Sequence, residues 1–266
     1  VVVTREQRVV SAPPRWPGLA VLEYYLVSYR RTWRASVLSS FLLPVLSMLG
    51  FGLGVGAYVT GGVAGVPYFD YVVPGLMAAT AAQVAVGEST WPVFSNFEWM
   101  KTYFAQAAAP LRVRDVLVGH LGFVCLRVLA SGLVFLAVAA AFGAVHSVWA
   151  LVVAPVLVLV GLAVAAPVFG YTSSVSSDNY LALLFRFGVI PMTLFSGVFF
   201  PVGSLPVVLR AVAYALPLWH GVDLCRAAAL GVAPDWSVAG HLIVLAGWSV
   251  FGWFLARTRF RRRLVV

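Results

Sequence analysis

Few groups in this sequence can do covalent chemistry, and their spacing argues against most of it. Lys101 is the sole lysine, and Thr102 follows it. A phosphate-binding loop needs G-x-x-x-x-G-K-[ST], because its lysine must reach the phosphates. Met100 stands where glycine is required, so no nucleotide is expected on this chain. HExxH and G-x-S-x-G are also absent. Ser173, Ser174, Ser176 and Ser177 make a polar turn without a neighbouring histidine. Cys125 and Cys225 stand far apart in apolar surroundings and match no C-x-x-C or zinc pattern, so they read as small packing residues. The one compact polar set is His220, Asp223 and Arg226, at i, i+3 and i+6, which a single helical face can hold. One histidine and one aspartate make a poor metal-ligand set. A local ion pair and cap is therefore favoured there over a metal or catalytic site. No catalytic, cofactor-binding or metal-ligating residue is expected.

The elements that carry these groups must be membrane helices. The 266 residues are 62% hydrophobic and only 10% charged, against about 25% charged in soluble domains. A soluble fold this size could not cover its surface with so few polar groups, whereas lipid removes the requirement. The formal net charge of +9 raises nucleic-acid binding. The arginines, however, sit at the two ends and in one internal loop rather than on one folded face, so nucleic acid is disfavoured as a partner. The N-terminus lacks the form of a signal peptide, because its first long apolar stretch starts only near residue 35 and exceeds a signal core.

Six spans are expected, giving an all-α polytopic membrane protein. They are placed at 35–59, 71–87, 116–145, 148–172, 180–200 and 237–256. Lys and Arg in short flanking loops favour the cytoplasm. Fourteen of the eighteen basic residues fall on one side if both termini lie there: Arg5, Arg8, Arg15, Arg30, Arg31 and Arg34, then Lys101, Arg112 and Arg114, then Arg257, Arg259, Arg261, Arg262 and Arg263. The opposite side holds only Arg210 and Arg226. Both termini are thus expected in the cytoplasm. The chain divides into an N-terminal tail with an amphipathic helix (1–34), a transmembrane domain (35–256) and a basic tail (257–266).

Three segments do not span. In residues 18–34, Leu19, Leu22, Leu26, Tyr29 and Trp33 recur at helical spacing, with Glu23, Arg30, Arg31 and Arg34 mostly on another face. An interfacial helix is favoured over one packed on its own protein. The loop 88–115 mixes Phe97, Trp99, Tyr103 and Phe104 with Glu98, Lys101, Arg112, Arg114 and Asp115. A helix is expected from about Ser95 to Ala109, ended by Pro110. Such composition suits a protein partner, although the aromatics would also suit the interface belt. The segment 201–236 is apolar yet broken by Pro201, Pro206, Pro217 and Pro234, which fits two short helices dipping back into the outer leaflet.

Arg127 lies about 16 Å into the third span, where a charge needs a partner or must snorkel, and Glu88 and Asp178 are the acids within reach. Arg186 is near enough to its span end to snorkel. The first span carries overlapping G-x-x-x-G spacings, Gly50–Gly54 and Gly52–Gly56, which suit close packing within the subunit or against a second one.

Two stretches carry a family likeness. One is Ala109-Pro110-Leu111-Arg112-Val113-Arg114-Asp115-Val116-Leu117-Val118-Gly119; the other is Phe195-Ser196-Gly197-Val198-Phe199-Phe200-Pro201 followed by the run from Leu216-Pro217-Leu218-Trp219-His220 to Arg226. Over nearly its whole length the chain resembles the ABC type-2 (ABC-2) transporter permeases, most of all the nodulation-factor (lipooligosaccharide) and daunorubicin-resistance export permeases. The resemblance implies a permease subunit of an ATP-driven exporter in the bacterial plasma membrane, moving a drug, lipid or lipid-linked glycan outward. It implies a homodimer or a pair with a similar permease, joined to two copies of a separate ABC ATPase that binds ATP and Mg. It implies that Phe97, Glu98, Trp99, Lys101, Tyr103, Pro110, Leu111, Arg112, Arg114 and Asp115 belong to the ATPase-coupling segment. Pro201, Pro217, His220, Asp223 and Arg226 would form the outer re-entrant motif. Leu42, Phe51, Gly52, Val55 and Gly56, with Arg127, would lie near the path or the dimer seam. The loop 171–179 carries only Asp178 as a charge, so a second ATPase contact there would be weak.

The main rival is a secondary transporter or channel working alone. That class shows matching broken spans in two halves, and no convincing repeat relates 35–145 to 148–256. A membrane transferase would need a cluster of acids, and the nine here are scattered.

Overall fold

A computed structural model describes residues 16–59 and 61–265. Arg5, Arg8 and Arg15 lie outside the described residues, as do the side chains of Trp33 and Arg34. The described chain is helical, and its only β feature is a bridge between Val63 and Val66.

Helix α1 runs unbroken from Pro17 to Ser47 and passes into a π-helical stretch, Met48–Val55. No break separates residues 18–34 from the first expected span. The buried face of its first half is Val21 and Tyr25, while Leu19 and Leu26 of the apolar stripe stay exposed. The reason is local: α5 presents Gly119, where a Cβ would lie 2.5 Å from Val21, and Tyr25 stacks on His120. That end of α1 therefore packs on its own protein, and the rest of the stripe remains outward.

Helix α2 (Tyr68–Ser89) ends where Ser89 and Thr90 hydroxyls bond back to the carbonyls of Ala85 and Val86. The next segment forms two short helices, α3 (Trp91–Glu98) and α4 (Thr102–Ala107), rather than the single helix expected from Ser95 to Ala109. Lys101 adopts φ 54° between them, a left-handed turn that α-helix cannot pass through. Helix α5 (Val113–Ala141) starts as the Arg112 N–H bonds to the Asp115 carboxylate at 2.9 Å, an acid where the helix dipole favours one.

A 3₁₀ turn, Val148–Val152, leads into α6 (Val153–Thr172). The fifth expected span is α7 (Asn179–Leu184), a π-helical turn (Phe185–Val189) and α8 (Ile190–Phe195). It stops short of Phe200 because the chain turns at Ser196 and Gly197, the latter at φ 77°. Helices α9 (Val207–Ala215) and α10 (Pro217–Leu230) meet at 81°. Pro217 forces the bend, since it cannot donate into the preceding turn. Helix α11 (Val238–Leu264) begins with Ser237 accepting from the Gly240 N–H, and continues eight residues beyond its expected end at Ala256, so the basic tail is helical almost to its last residue.

Among the described residues, four helices are long and apolar enough to cross a membrane: Tyr68–Glu98, Val113–Ala141, Val148–Thr172 and Val238–Leu264. The bent pair α9–α10 would make a fifth if it is one span. Val45–Tyr58 and Asn179–Phe195 are shorter apolar helices at the places of the first and fifth expected spans. Helix α6 forms the centre, with Leu157, Val160 and Ala163 buried. Two glycines permit the close approaches: a Cβ at Gly221 of α10 would lie 2.2 Å from Val160, and one at Gly252 of α11 would lie 2.3 Å from Pro167.

Candidate functional site

A cavity of about 670 Å³ opens between the α1 π-helical stretch, α2 and the α7–α8 segment. Its walls are mostly apolar, including Phe51, Leu76, Val84, Phe185, Ile190 and Phe199, with Thr80, Gln83 and Thr193 as polar points. From Leu76 to Glu88 it extends along α2 for about 18 Å, twelve residues of helical rise. Both flanking π-helical stretches border it, through Phe51 and through Phe185 and Val189. Such turns leave the i→i+4 ladder incomplete and recur at functional sites. An aromatic pair stands near each end: Phe51 with Phe199, ring centroids 4.7 Å apart, and Trp91 with Phe185, 5.3 Å apart.

Glu88 and Arg127 close the wall nearest the arginine-rich end. Arg127 Nε donates to Glu88 Oε1 at 3.0 Å, and the two side chains are 12% and 22% exposed. Of the two acids within reach in the sequence, Glu88 is the partner. The Arg127 guanidinium also bonds to the Tyr29 hydroxyl at 2.5 Å and lies 4.5 Å from that ring's centre. One arginine thus ties α5 to α2 and α1 at the cavity floor. The pair still reaches the cavity, so its charges act on whatever occupies that space. Of the other first-span positions, Leu42 and Val55 are exposed, whereas Gly52 is buried under Phe69, where a Cβ would lie 2.5 Å away. Gly56 packs toward Tyr68.

The second polar cluster lies at the opposite end, where α10 meets α11 and α2. Asp223 and Arg226 do not form the ion pair expected of them. Asp223 Oδ2 lies 3.0 Å from His241 Nε2 of α11, a close contact without hydrogen-bond alignment, and accepts from the Asp235 N–H at 2.7 Å. Arg226 instead donates to the carbonyls of Gly197 at 2.8 Å and Tyr71 at 3.3 Å, its guanidinium 3.8 Å from the Tyr71 ring centre. Packing decides this: α11 brings a histidine to Asp223, while the turn after α8 leaves a carbonyl needing a donor. His220 Nδ1 meets His241 Nδ1 at 2.8 Å, and His220 Nε2 meets the Tyr214 carbonyl at 2.9 Å. That carbonyl only accepts, so His220 donates from Nε2 and, as a neutral ring, accepts from His241. His241 was visible in the sequence only as an interruption of the last span. Burial and the Asp223 charge hold the neighbouring Asp235 carboxyl above its ordinary value. Pro201 precedes a short 3₁₀ turn, and Pro217 opens α10. Among the described residues no group of three or more His, Cys, Asp or Glu side chains is arranged to hold a metal.

At the arginine-rich end the α3–α4 turn is partly surface and partly core. Trp99, Lys101, Pro110, Arg112 and Arg114 are exposed, Leu111 and Asp115 half-buried. Phe97 and Tyr103 are wholly buried and cannot themselves touch a second subunit. They pack on Phe260 of α11, and burial holds the Tyr103 hydroxyl well above its usual range, beside His120 Nδ1 at 2.6 Å. Glu98 pairs with Arg263, which also bonds the Ser173 and Val175 carbonyls and covers the Phe97 ring. The exposed rim therefore rests on an anchored base.

Comparison with known proteins agrees with this architecture. The family description "ABC-2 type transporter" matches residues 19–230. Relatives named Nodulation protein J match most of the chain. The one from Sinorhizobium fredii is 30% identical over 261 residues, covering 98% of each chain. The one from Rhizobium leguminosarum bv. trifolii is 31% identical over 247 residues, 93% of this chain and 94% of its own. The one from Rhizobium meliloti is 29% identical over 250 residues, covering 94% and 95%.

Proposed function

This chain belongs to the ABC-2 type transporter family and is a multi-pass membrane protein, and from that premise we propose that it is the permease subunit of an ATP-driven exporter. ATP and Mg are bound and turned over by two copies of a separate ABC ATPase, and the permease works as a homodimer or beside a similar subunit. It lies in the bacterial plasma membrane with both termini in the cytoplasm, following the arginine distribution. The mostly apolar cavity with scattered hydroxyl and amide groups suits amphipathic cargo, such as a drug, lipid or lipid-linked glycan.

The observation that carries this reading is the cavity itself, bordered by two π-helical stretches and floored by the Arg127–Glu88 pair. It adjoins the α3 helix through Pro92. Movement of α3 and α4 by an ATPase would therefore reach the cavity directly, changing which end is open. The exposed Trp99, Lys101, Arg112 and Arg114 are the contact side chains in this scheme, with Phe97 and Tyr103 transmitting the push. Gly50 has open space around it, and the neighbouring Phe51 and Val55 are exposed, which suits the seam with a second permease.

The test is reconstitution of the chain with its partner ATPase in vesicles. ATP-dependent export of an amphipathic cargo is expected, with none from the chain alone. Movement by the isolated chain along an ion gradient would replace this reading with that of a secondary transporter. Charge reversal at Arg114 (R114E) is expected to lower co-purification of the ATPase about tenfold; unchanged co-purification removes Arg114 from the contact.

A further inference from the structure

The C-terminal helix α11 presents an exposed face that is separate from the cavity. At 1.5 Å per residue, the 27 residues of α11 extend about 40 Å, beyond a hydrocarbon core of about 30 Å. Its last turns therefore stand among lipid headgroups. The helix has two distinct faces. Leu245, Ser249, Gly252, Ala256 and Phe260 are buried against the protein. On the other, Ile243, Val250, Phe251 and Phe254 are exposed at 71, 55, 57 and 58%.

Both faces continue into the arginine run, with different outcomes. Arg263 follows the inward face and is consumed by Glu98 and by the carbonyls of Ser173 and Val175. Arg257, Arg261 and Arg262 follow the outward face. They line a groove of about 420 Å³ with Phe254 and Thr258. Among the described residues, no carboxylate lies within ion-pair distance of these three arginines. A second groove lies further along the helix toward its N-terminus, between Val244, Gly247, Trp248 and Phe251, where Gly247 leaves open space. Ten residues, about 15 Å of helical rise, separate Gly247 from Arg257.

We propose that this face of α11 is a binding site for an anionic phospholipid, its phosphate held by Arg257, Arg261 and Arg262 and an acyl chain lying over Phe254 and Phe251 into the notch at Gly247. Among the described residues no carboxylate pairs with these arginines, and arginine forks match phosphate oxygens in two-point contacts. The apolar notch lies at acyl-chain distance on the same stripe, an arrangement that a free anion would not use. A partner protein with an acidic surface would engage the arginines but would leave the Gly247 notch empty.

The experiment is native mass spectrometry of the full detergent-purified chain with phosphatidylglycerol or phosphatidylcholine added. Wild type is expected to retain phosphatidylglycerol at least fivefold better than phosphatidylcholine. The R257Q/R261Q/R262Q variant should lose that preference, and G247L should weaken retention of both lipids. Arg259→Gln, outside the groove, should keep the preference. Inorganic phosphate at millimolar concentration should not displace the bound lipid. Equal retention of the two lipids by wild type, undiminished preference in the triple variant, or displacement by phosphate would each overturn the proposal. Should the triple variant fail to fold, G247L and the phosphate competition decide it. None of these readouts depends on transport, so the proposal stands or falls apart from the exporter reading.

Discussion

The two buried polar clusters solve the same problem in opposite ways. Charge among apolar helices is expensive unless partnered. Around Asp223, every neighbour is committed: His241, His220 and the Asp235 backbone on one side, and Arg226 spread over two carbonyls and an aromatic ring on the other. Asp223, His220 and His241 are almost wholly buried. Around Arg127, one carboxylate and one hydroxyl are engaged, and both charges face a cavity. A charge sealed on all sides can only hold the fold, whereas a charge with open space beside it can also answer to a ligand. On the proposed exporter reading, the first cluster would hold the fold and the second would act on the cargo.

The largest effect separating them is expected from Asp223→Ala. It leaves the Asp235 N–H without its acceptor and His241 without its nearest carboxylate in a sealed site, and should lower stability by about 3–5 kcal/mol. Thermal unfolding of the detergent-solubilised protein measures it, and a loss below 1 kcal/mol would break the contrast. Next is Glu88→Gln. Stability should fall by only about 1–2 kcal/mol, because the pair is partly exposed. ATP-driven transport in vesicles should fall about tenfold, since Arg127 then faces the cavity unneutralised. If instead unfolding shifts as far as for Asp223→Ala while transport per folded molecule stays normal, Arg127 joins the structural cluster.

A smaller effect is expected at the aromatic pairs. Phe51→Ala and Trp91→Ala each remove one ring near an end of the cavity, at about 1 kcal/mol beyond lost area. Transport should change several-fold with little change in unfolding temperature. Equal and additive effects of the two would argue for general packing. Coupling between them and Glu88→Gln, seen in a double-mutant cycle, would place all three on one path.

Much of the fold was legible because its signals are one-dimensional. Apolar runs near span length mark α5, α6 and α11, and proline placement marks the break at Leu216–Pro217 between α9 and α10. The left-handed turn at Lys101, by contrast, has no glycine to announce it, so α3 and α4 read as one helix. The same limit applied to burial. Phe97 and Tyr103 look like contact aromatics in the sequence, yet both are enclosed once α11 arrives with Phe260.

The composition and charge placement of this chain alone determined a helical membrane body without a nucleotide loop, and the distribution of arginines along it. Partner choice was decided only by the tertiary structure. Thirty-nine positions separate Arg127 from Glu88, and 165 separate Arg263 from Glu98. Helix periodicity tells which residues share a face, but not which helix that face will meet. In the apolar interior the meeting is decided by close-packed shape, including the glycines that let α10 and α11 approach α6.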